Sequence, residues 1–324
     1  VGGAIANDVH GKNHHAAGSF GEHVLTLELL RSDGSRVVCS REENADWFAA
    51  TIGGLGLTGV ITLATIRLRR ISGTAMAVKN TRFAGLDEFF ALNAEAEKAH
   101  EYAVAWIDCL AMTPRGVLMA GDHAEGDLPA PDGAKRVPLT PPSLPFSLIN
   151  GLSLRTFNAA YYGKPWPAAT RQHYLPYFYP LDAIHDWNRI YGKAGFYQYQ
   201  CVVPPAAARA AIGEMLDAIA ASGQGSFLAV LKNFGERPAP GLLSFPMPGT
   251  TLALDFPNHG AATLSLFERL DAIVRAAGGR LYAAKDARMP GDFFRAAYPQ
   301  WQVFSRFVDP AFSSGFWRRV MEQE

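Results

Sequence analysis

Gly54-Leu55-Gly56-Leu57-Thr58-Gly59, running on into Val60-Ile61-Thr62-Leu63-Ala64-Thr65-Ile66-Arg67-Leu68-Arg69, is the stretch whose reading decides the fold. Its first six letters satisfy the dinucleotide fingerprint G-x-G-x-x-G. That motif works only where a strand leads in and a helix leads out, so that a pyrophosphate meets the amides of a helix start. Here the order is reversed: Asn44 to Thr51 reads as helix, and the alternation from Val60 to Arg69 reads as strand. A Rossmann domain is set aside. Two readings remain, a glycine-rich turn without a ligand and a loop whose backbone closely approaches some other cofactor, because glycine tolerates positive φ and close contact.

Working outward, Val24 to Leu30 and Arg36 to Ser40 flank Ser32-Asp33-Gly34-Ser35, which predicts a hairpin. Leu86 to His100 predicts an amphipathic helix and Tyr102 to Leu110 a strand. Residues 121 to 170, with Pro138, Pro141, Pro142 and Pro145, predict a mostly extended loop, and loops of that length are often functional. Beyond it, strands are expected over Phe196 to Val203, Phe227 to Asn233 and Thr251 to Asp255. Helices are expected over Ala206 to Ala221 and Ala261 to Ala277. Strands and helices interleaved in this way, with ends unlike the middle, give an α+β class with boundaries near residues 73 and 279.

Composition narrows the function classes. With 324 residues, 48% of them hydrophobic, the chain can bury about two domains' worth of core. Thirty basic and thirty acidic residues cancel, so no overall field favours nucleic acid. Cys39, Cys109 and Cys201 are few and scattered, which argues against a disulfide framework or a thiolate metal site and for a reducing compartment. Apolar runs such as Leu242 to Leu254 are broken by Pro and Gly and fall short of the about 20 residues of a spanning helix. The chain opens on Val1-Gly2-Gly3-Ala4-Ile5 as though entered in mid-domain, with no initiator Met and no signal pattern.

Three clusters carry chemical groups. His10-Gly11-Lys12-Asn13-His14-His15 follows a glycine-rich strand, and in extended chain His10, Lys12 and His14 would share one face suited to an anionic or electron-rich group. A solvated turn is the plain alternative, and metal binding a third, disfavoured by the lack of a nearby Asp, Glu or Cys ligand set. Gln198-Tyr199-Gln200 puts two amides on one face of a strand, for a ligand or as a polar edge facing solvent. Gly278-Gly279-Arg280-Leu281-Tyr282-Ala283-Ala284-Lys285-Asp286 places Tyr282 and Lys285 just past a helix stop.

The likeness to a known family runs through the chain in order. It is carried by Val1 to Ile5, His10 to Gly21, Gly53 to Ile61, Ala105-Trp106-Ile107-Asp108, Pro180-Leu181-Asp182, Trp187-Asn188-Arg189, Gln198-Tyr199-Gln200, Leu243-Ser244-Phe245-Pro246, Asp255-Phe256-Pro257 and Gly278 to Asp286. These segments resemble the FAD-linked oxidases of the vanillyl-alcohol-oxidase type, in particular those acting on a sugar carried by a polyprenyl phosphate. The resemblance implies a two-lobed α+β protein. Residues 1–73 and 280–324 would form an FAD-binding lobe, incomplete at its amino terminus, and 74–279 a substrate lobe with a large antiparallel sheet. It implies FAD held without a covalent bond, with Gly2, Gly3, Asn7, Asp8, Val9, His10 and Gly11 in a backbone cradle and Ile61 and Tyr282 as further contacts. Lys285, Lys12 and Gln200 would be catalytic, and Trp106, Gln198, Lys232, Thr251 and Ala253 would read the substrate.

The implied reaction is oxidation of the 2′-hydroxyl of a polyprenyl-phosphate-linked ribose, one half of an epimerisation that serves cell-wall arabinan. A separate short-chain reductase would complete it, and a quinone or similar acceptor would take the electrons. Physics fits: the cofactor supplies the redox chemistry while the protein orients the carbinol and places cations where negative charge develops. The implied setting is the cytoplasm or a peripheral position at a bacterial envelope. Three departures stand against a full carry-over. The glycine-rich pyrophosphate loop expected before Val1 is not in this sequence, Ala253 stands where actinobacterial relatives carry Cys, and Thr251 stands where they carry Asn. These leave room for a soluble alditol or aldonolactone oxidase acting on a small polyol, or for an inactive fragment.

Overall fold

A computed structural model describes residues 1–131, 142, 144–285 and 288–322. The chain begins with two short helices, α1 (Gly2–Ala6) and α2 (His14–Ala17). Strands β1 (Val24–Leu30) and β2 (Arg36–Ser40), helix α3 (Ala45–Thr51) and strand β3 (Val60–Ile66) follow. The three strands form an antiparallel sheet in the order β2-β1-β3. The hairpin falls where the sequence put it. Gly34 takes φ +83°, the Asp33 carboxylate accepts the Ser35 N–H at 2.8 Å, and Arg31 and Ser35 close the turn.

The fingerprint loop lies between α3 and β3, so the order is helix, glycine turn, strand, and no Rossmann helix opens there. Gly53, Leu55, Gly56 and Gly59 all have positive φ. A Cβ on Gly54 would stand 2.1 Å from the Ala50 carbonyl oxygen, and one on Gly59 2.7 Å from that of Leu30, so only glycine fits these contacts. The Gly53 and Leu55 N–H groups bond the Ile5 and Ala6 carbonyls at 3.0 and 2.8 Å. The loop is thus the seat of α1. This contact also corrects one expectation: the first residues form a helix and not a strand, because the last carbonyls of α1 find their acceptor roles filled by this loop.

From residue 75 the chain builds a second, larger sheet. Its elements are β4 (Ala75–Ala84), α4 (Leu86–Ala99), β5 (Tyr102–Ile107), β6 (Arg115–Ala124), α5 (Gly151–Gly163), β7 (Ala169–His173), α6 (Tyr174–Phe178), β8 (Phe196–Val203), α7 (Pro205–Ser222), β9 (Ala229–Phe234), β10 (Gly249–Pro257), α8 (Ala261–Ala276) and β11 (Arg280–Leu281). Helices α9 (Gly291–Ala297), α10 (Trp301–Ser305) and α11 (Gly315–Met321) close the chain. The eight strands lie in the order β11-β8-β10-β9-β5-β6-β4-β7, every neighbouring pair antiparallel. The molecule is therefore α+β with a large antiparallel sheet.

One face of that sheet is apolar and covered by helices. Cys201, Leu231, Leu252, Leu254 and Phe256 meet Ile212, Met215 and Ile219 of α7 and Leu266 and Leu270 of α8, with Phe89 of α4 in the same core. The stretch 121 to 170 departs most from expectation. Strand β6 extends into it, α5 lies within it and β7 begins at its end, so it is not mostly loop. The local cause of α5 is a capping box, in which Asn150 accepts the Leu152 and Ser153 N–H groups while Ser153 reaches back to the Asn150 N–H. Pro138, Pro141 and Asp286 lie outside the described residues. No helix among the described residues is long and apolar enough to cross a membrane.

Candidate active site

The second face of the large sheet carries the polar groups. Side chains directly opposite one another in an antiparallel pair project from the same face. Gln200, Ala253, Val230 and Trp106 form one such row across β8, β10, β9 and β5. Lys232 stands opposite Thr251, and Gln198 opposite Asp255, on flanking rows of the same face. Tyr199 points the other way, its hydroxyl 3.1 Å from Asp271 of α8. The solvent-facing polar edge is ruled out for Gln200, which is only 5% exposed.

The segment joining α1 to α2 lies over this face. His10 is wedged among Phe234, Phe245 and Tyr282, with ring centroids 4.8, 5.8 and 5.5 Å away. Lys232 Nζ stands 2.8 Å from His10 Nδ1 and donates to the Gly11 carbonyl at 2.5 Å. Gln200 Nε2 lies 3.0 Å from His10 Nε2 and 3.1 Å from Thr251 Oγ1. Because Lys232 donates to Nδ1, the ring proton sits on Nε2, and the pairing is completed when the Gln200 amide turns its oxygen to the ring. Burial and the neighbouring Lys232 hold His10 well below its ordinary pKa, so the imidazole is neutral at pH 7.

His10, Lys12 and His14 do not alternate along one extended run, which corrects that reading, although His10 and His14 both pack on the Phe234 ring. His10 bridges to Ser19 and a helix begins at His14, so the alternation ends there. Lys12 instead donates to the Tyr177 carbonyl of α6 and lies 4.4 Å from the centre of the Tyr177 ring. His14 is buried with its ring 4.5 Å from that of Phe234. Trp106 departs in a smaller way. Its N–H is taken by the Phe227 carbonyl at 2.9 Å and its ring meets Tyr161 of α5 at 4.6 Å, so it supplies a flat wall and no free donor.

At the sheet's edge β11 delivers Tyr282, whose N–H bonds the Gln200 carbonyl at 2.9 Å and whose hydroxyl bonds the Asn7 carbonyl at 3.1 Å. Its ring stacks on Phe245 at 4.4 Å. Lys285 follows in a 3-10 turn, half-buried, with the Asp255 carboxylate favouring its charge against desolvation. Ile61 packs with Ile5 and Phe48 in the core of the small sheet. The N–H groups of Asn7, Asp8 and Val9 already bond the carbonyls of Gly3, Ile5 and Ala4. Gly2 and Gly3 are exposed in the first turn of α1, where N–H groups lack intrahelical acceptors, and a Cβ on either would meet nothing within 4 Å. Asp8 is buried and accepts from Ser19, Gly21 and Ser244.

Sequence reasoning passed over Asp255 as a site residue. It is buried, its Oδ1 accepts from Gln198 Nε2 at 3.0 Å, and its Oδ2 has no hydrogen-bond partner. The signal was present, since Thr251, Ala253 and Asp255 alternate onto one face of β10. Tyr177, Phe234 and Phe245 were also missed. Their contribution is enclosure, which depends on long-range packing.

The electrostatic character is distinctive. Lys12, Lys232 and Lys285 are drawn toward this face, and desolvation lowers Lys12 to about 8 and Lys232 to about 7. Among the described residues no carboxylate raises either value again; only Lys285 has one, Asp255. A buried cation without a counter-ion is unfavourable on its own. It follows that the ligand-free protein should gain stability from Lys232 as pH rises from about 7 toward the ordinary lysine range near 10, because the unfolded chain binds the proton that the folded chain has lost. Denaturant midpoints across that range should show this rise, and Lys232→Met should flatten it. An unchanged slope in the variant would refute the assignment. No group of three or more His, Cys, Asp or Glu among the described residues could hold a metal ion.

No protein-family model matches the chain. Decaprenylphosphoryl-beta-D-ribose oxidase of Mycolicibacterium smegmatis is 38% identical over 340 residues, covering 99% of this chain and 73% of that protein. A protein described as an uncharacterized protein in the mprA 5′ region of Streptomyces coelicolor is 34% identical over 345 residues, covering 99% and 92%. Cytokinin dehydrogenase 1 of rice is 34% identical over 79 residues, 24% of this chain and 15% of its own length. An antiparallel sheet with a buried cationic face, in a chain whose relatives are an oxidase and a dehydrogenase, defines an FAD-dependent oxidoreductase. The chain belongs to the decaprenylphosphoryl-beta-D-ribose oxidase family.

Proposed function

We propose that this protein oxidises a secondary hydroxyl of a sugar by hydride transfer to a non-covalently bound FAD, the substrate being the ribose of a polyprenylphosphoryl-β-D-ribose and the hydroxyl its 2′-OH. The observation that carries the reading is the gathering of Lys12, Lys232 and Lys285 on one buried sheet face with Asp255 as the one carboxylate acting on them among the described residues. Such a donor set fits a cofactor that becomes anionic on reduction and a substrate that carries a phosphate. FAD, when bound, supplies the electron acceptor. Residues 1–73 with 280–324 would hold it, and 74–279 would cover its ring and bind the sugar.

Within that arrangement Gly2 and Gly3 offer free N–H groups and open space, and the Tyr282–Phe245 stack and His10 offer a flat, neutral surface. Gln200 and Thr251 present paired polar groups to the sugar, and Trp106 a wall. Lys285 stabilises negative charge near the reacting centre, while Lys12 and Lys232 are point-charge anchors. The ketone formed would pass to a separate short-chain reductase, completing an epimerisation for cell-wall arabinan, and a quinone or similar acceptor would reoxidise the protein.

The test is anaerobic mixing of flavin-loaded protein with decaprenylphosphoryl-β-D-ribose or with free ribitol, followed by the loss of visible flavin absorbance. Bleaching by the lipid-linked sugar is expected. Bleaching by ribitol alone would assign the protein as a polyol oxidase, and none with either would overturn the proposal. Acid precipitation of the same preparation should release all yellow colour into the supernatant; colour kept in the pellet would establish a covalent link.

A further inference from the structure

We propose that Asp255 is the base that accepts the hydroxyl proton of the carbinol oxidised at this site. This rests on the proposed function, since it assigns one step of the same reaction. Oxidation of a secondary alcohol removes two hydrogens. The C–H hydrogen leaves with its electron pair as hydride to the oxidised flavin. The O–H bond breaks, its electron pair closes the C=O bond of the ketone, and the proton passes to the Asp255 carboxylate, which becomes a carboxylic acid.

Lys285 is kept charged by Asp255 itself, which suits it to stabilise negative charge and not to take a proton, and the other candidates on this face are engaged. Lys12 donates to the Tyr177 carbonyl, and Lys232 donates to the Gly11 carbonyl and to His10 Nδ1. That contact fills the one lone pair a neutral imidazole offers, so His10 has none left to take a proton. The Tyr282 hydroxyl is bonded to the Asn7 carbonyl at 3.1 Å. Asp8, the other buried carboxylate near the segment, accepts from Ser19, Gly21 and Ser244, at 2.8, 2.7 and 2.6 Å.

Asp255 differs from all of these. A carboxylate has about four acceptor sites, and the Gln198 amide is its one side-chain donor among the described residues, with Oδ2 buried and unpartnered. The Tyr191 hydroxyl is likewise buried and unpartnered, and burial together with the Asp255 charge raises its pKa. Incomplete polar groups of this kind are unusual in a protein interior, where such groups are nearly always paired. They are what remains when a site is shaped around a hydroxyl that arrives with the substrate. Position agrees, because Asp255 projects from the same face as Ala253 and Thr251 and is the direct partner of Gln198. Burial pushes its pKa up, and Lys285 and Gln198 oppose that without cancelling it, which makes the carboxylate a better base than one in water.

The experiment pairs anaerobic stopped-flow reduction of the flavin-loaded protein by decaprenylphosphoryl-β-D-ribose with carbon-13 NMR titration of aspartate carboxyls in the flavin-free protein. Asp255→Asn is expected to slow flavin reduction about a hundredfold or more, while calorimetric affinity for the same substrate stays within about threefold of wild type, a split that separates a base from a binding group. In the NMR series, a resonance titrating above the ordinary aspartate range should vanish in the variant. Asp255→Glu keeps a displaced base and covers the case in which the amide variant does not fold; its reduction rate should fall below the wild-type rate. Reduction of Asp255→Asn within about threefold of wild type, a wild-type rate in Asp255→Glu, or a lost resonance titrating in the ordinary range would each overturn the assignment. Wild-type protein that the substrate does not bleach would sink the proposed function and the base together, whereas a bleached wild type with an unaffected Asn variant would sink the base alone.

Discussion

Lys285→Ala is expected to slow reduction of the bound flavin by about a hundred- to a thousandfold, or about 3–4 kcal/mol of barrier, the loss typical of removing one preorganised stabiliser of developing charge. Lys285 ends a short 3-10 turn and is half-buried, held by its own N–H to the Tyr282 carbonyl at 3.0 Å. The side chain belongs to no apolar cluster, so its removal leaves the packing of Tyr282 and Phe245 in place. Asp255 supports its charge, and among the described residues no carboxylate does so for the other two lysines of the face. Stopped-flow absorbance gives the rate and thermal melting reports the fold. A variant that melts normally and reduces its flavin at the wild-type rate would return Lys285 to an ordinary surface role.

Asp8→Ala should produce the largest loss of stability, about 3 kcal/mol or more, because several buried donors lose their acceptor together. The Asp8 carboxylate joins Ser19, the Gly21 N–H and Ser244, tying the end of α1 to the turn before β1 and to the strap that carries Phe245. A backbone φ of +40° at Asp8 adds a strain that these bonds hold in place. Burial raises the Asp8 pKa above its unfolded value, hydrogen bonds opposing. The folded state therefore holds this proton more tightly, and stability from Asp8 is full below the unfolded pKa and declines as pH rises through the folded one. Chemical denaturation at several pH values should thus find the wild-type advantage over Asp8→Ala largest in mild acid and smaller near neutrality. A loss under about 1 kcal/mol at every pH would mean that the three donors find other acceptors.

Much of this was legible in the sequence, for reasons that differ by element. Strand β8 and the hairpin β1–β2 stand where they were read, because strict alternation and an Asp-Gly turn are local signals. Strands β4 and β6 and helix α5 were not read. Strand β6 and helix α5 lie in or beside a stretch rich in Gly and Pro, where composition masks pattern, and the capping box that starts α5 is only Asn150 and Ser153, while in β4 the polar run Lys79 to Arg82 breaks the alternation. Strand β5 was read three residues too long, since Asp108 turns the chain by accepting the Leu110 N–H. Gln198, Gln200, Thr251 and Ala253 reach one face because period two guarantees it, and their register only had to bring the strands together. The direction of Lys12 was beyond local reading. It depends on Tyr177, 165 residues away, which supplies both a carbonyl and an aromatic ring.

The row Gln200, Ala253, Val230, Trp106 has a structural corollary. Each position is fixed by ladder hydrogen bonds to both neighbouring strands, and the opposite face of the same strands is locked into the helix-covered core. A side chain in the row can be enlarged or trimmed while the backbone beneath it stays where it is. Under the proposed function Ala253, small and flanked by Gln200 and Val230, would set the clearance above this face much as a shim sets a gap. One methyl group at this position is a width, and a related chain with a bulkier residue there would present the same chemistry to a narrower guest.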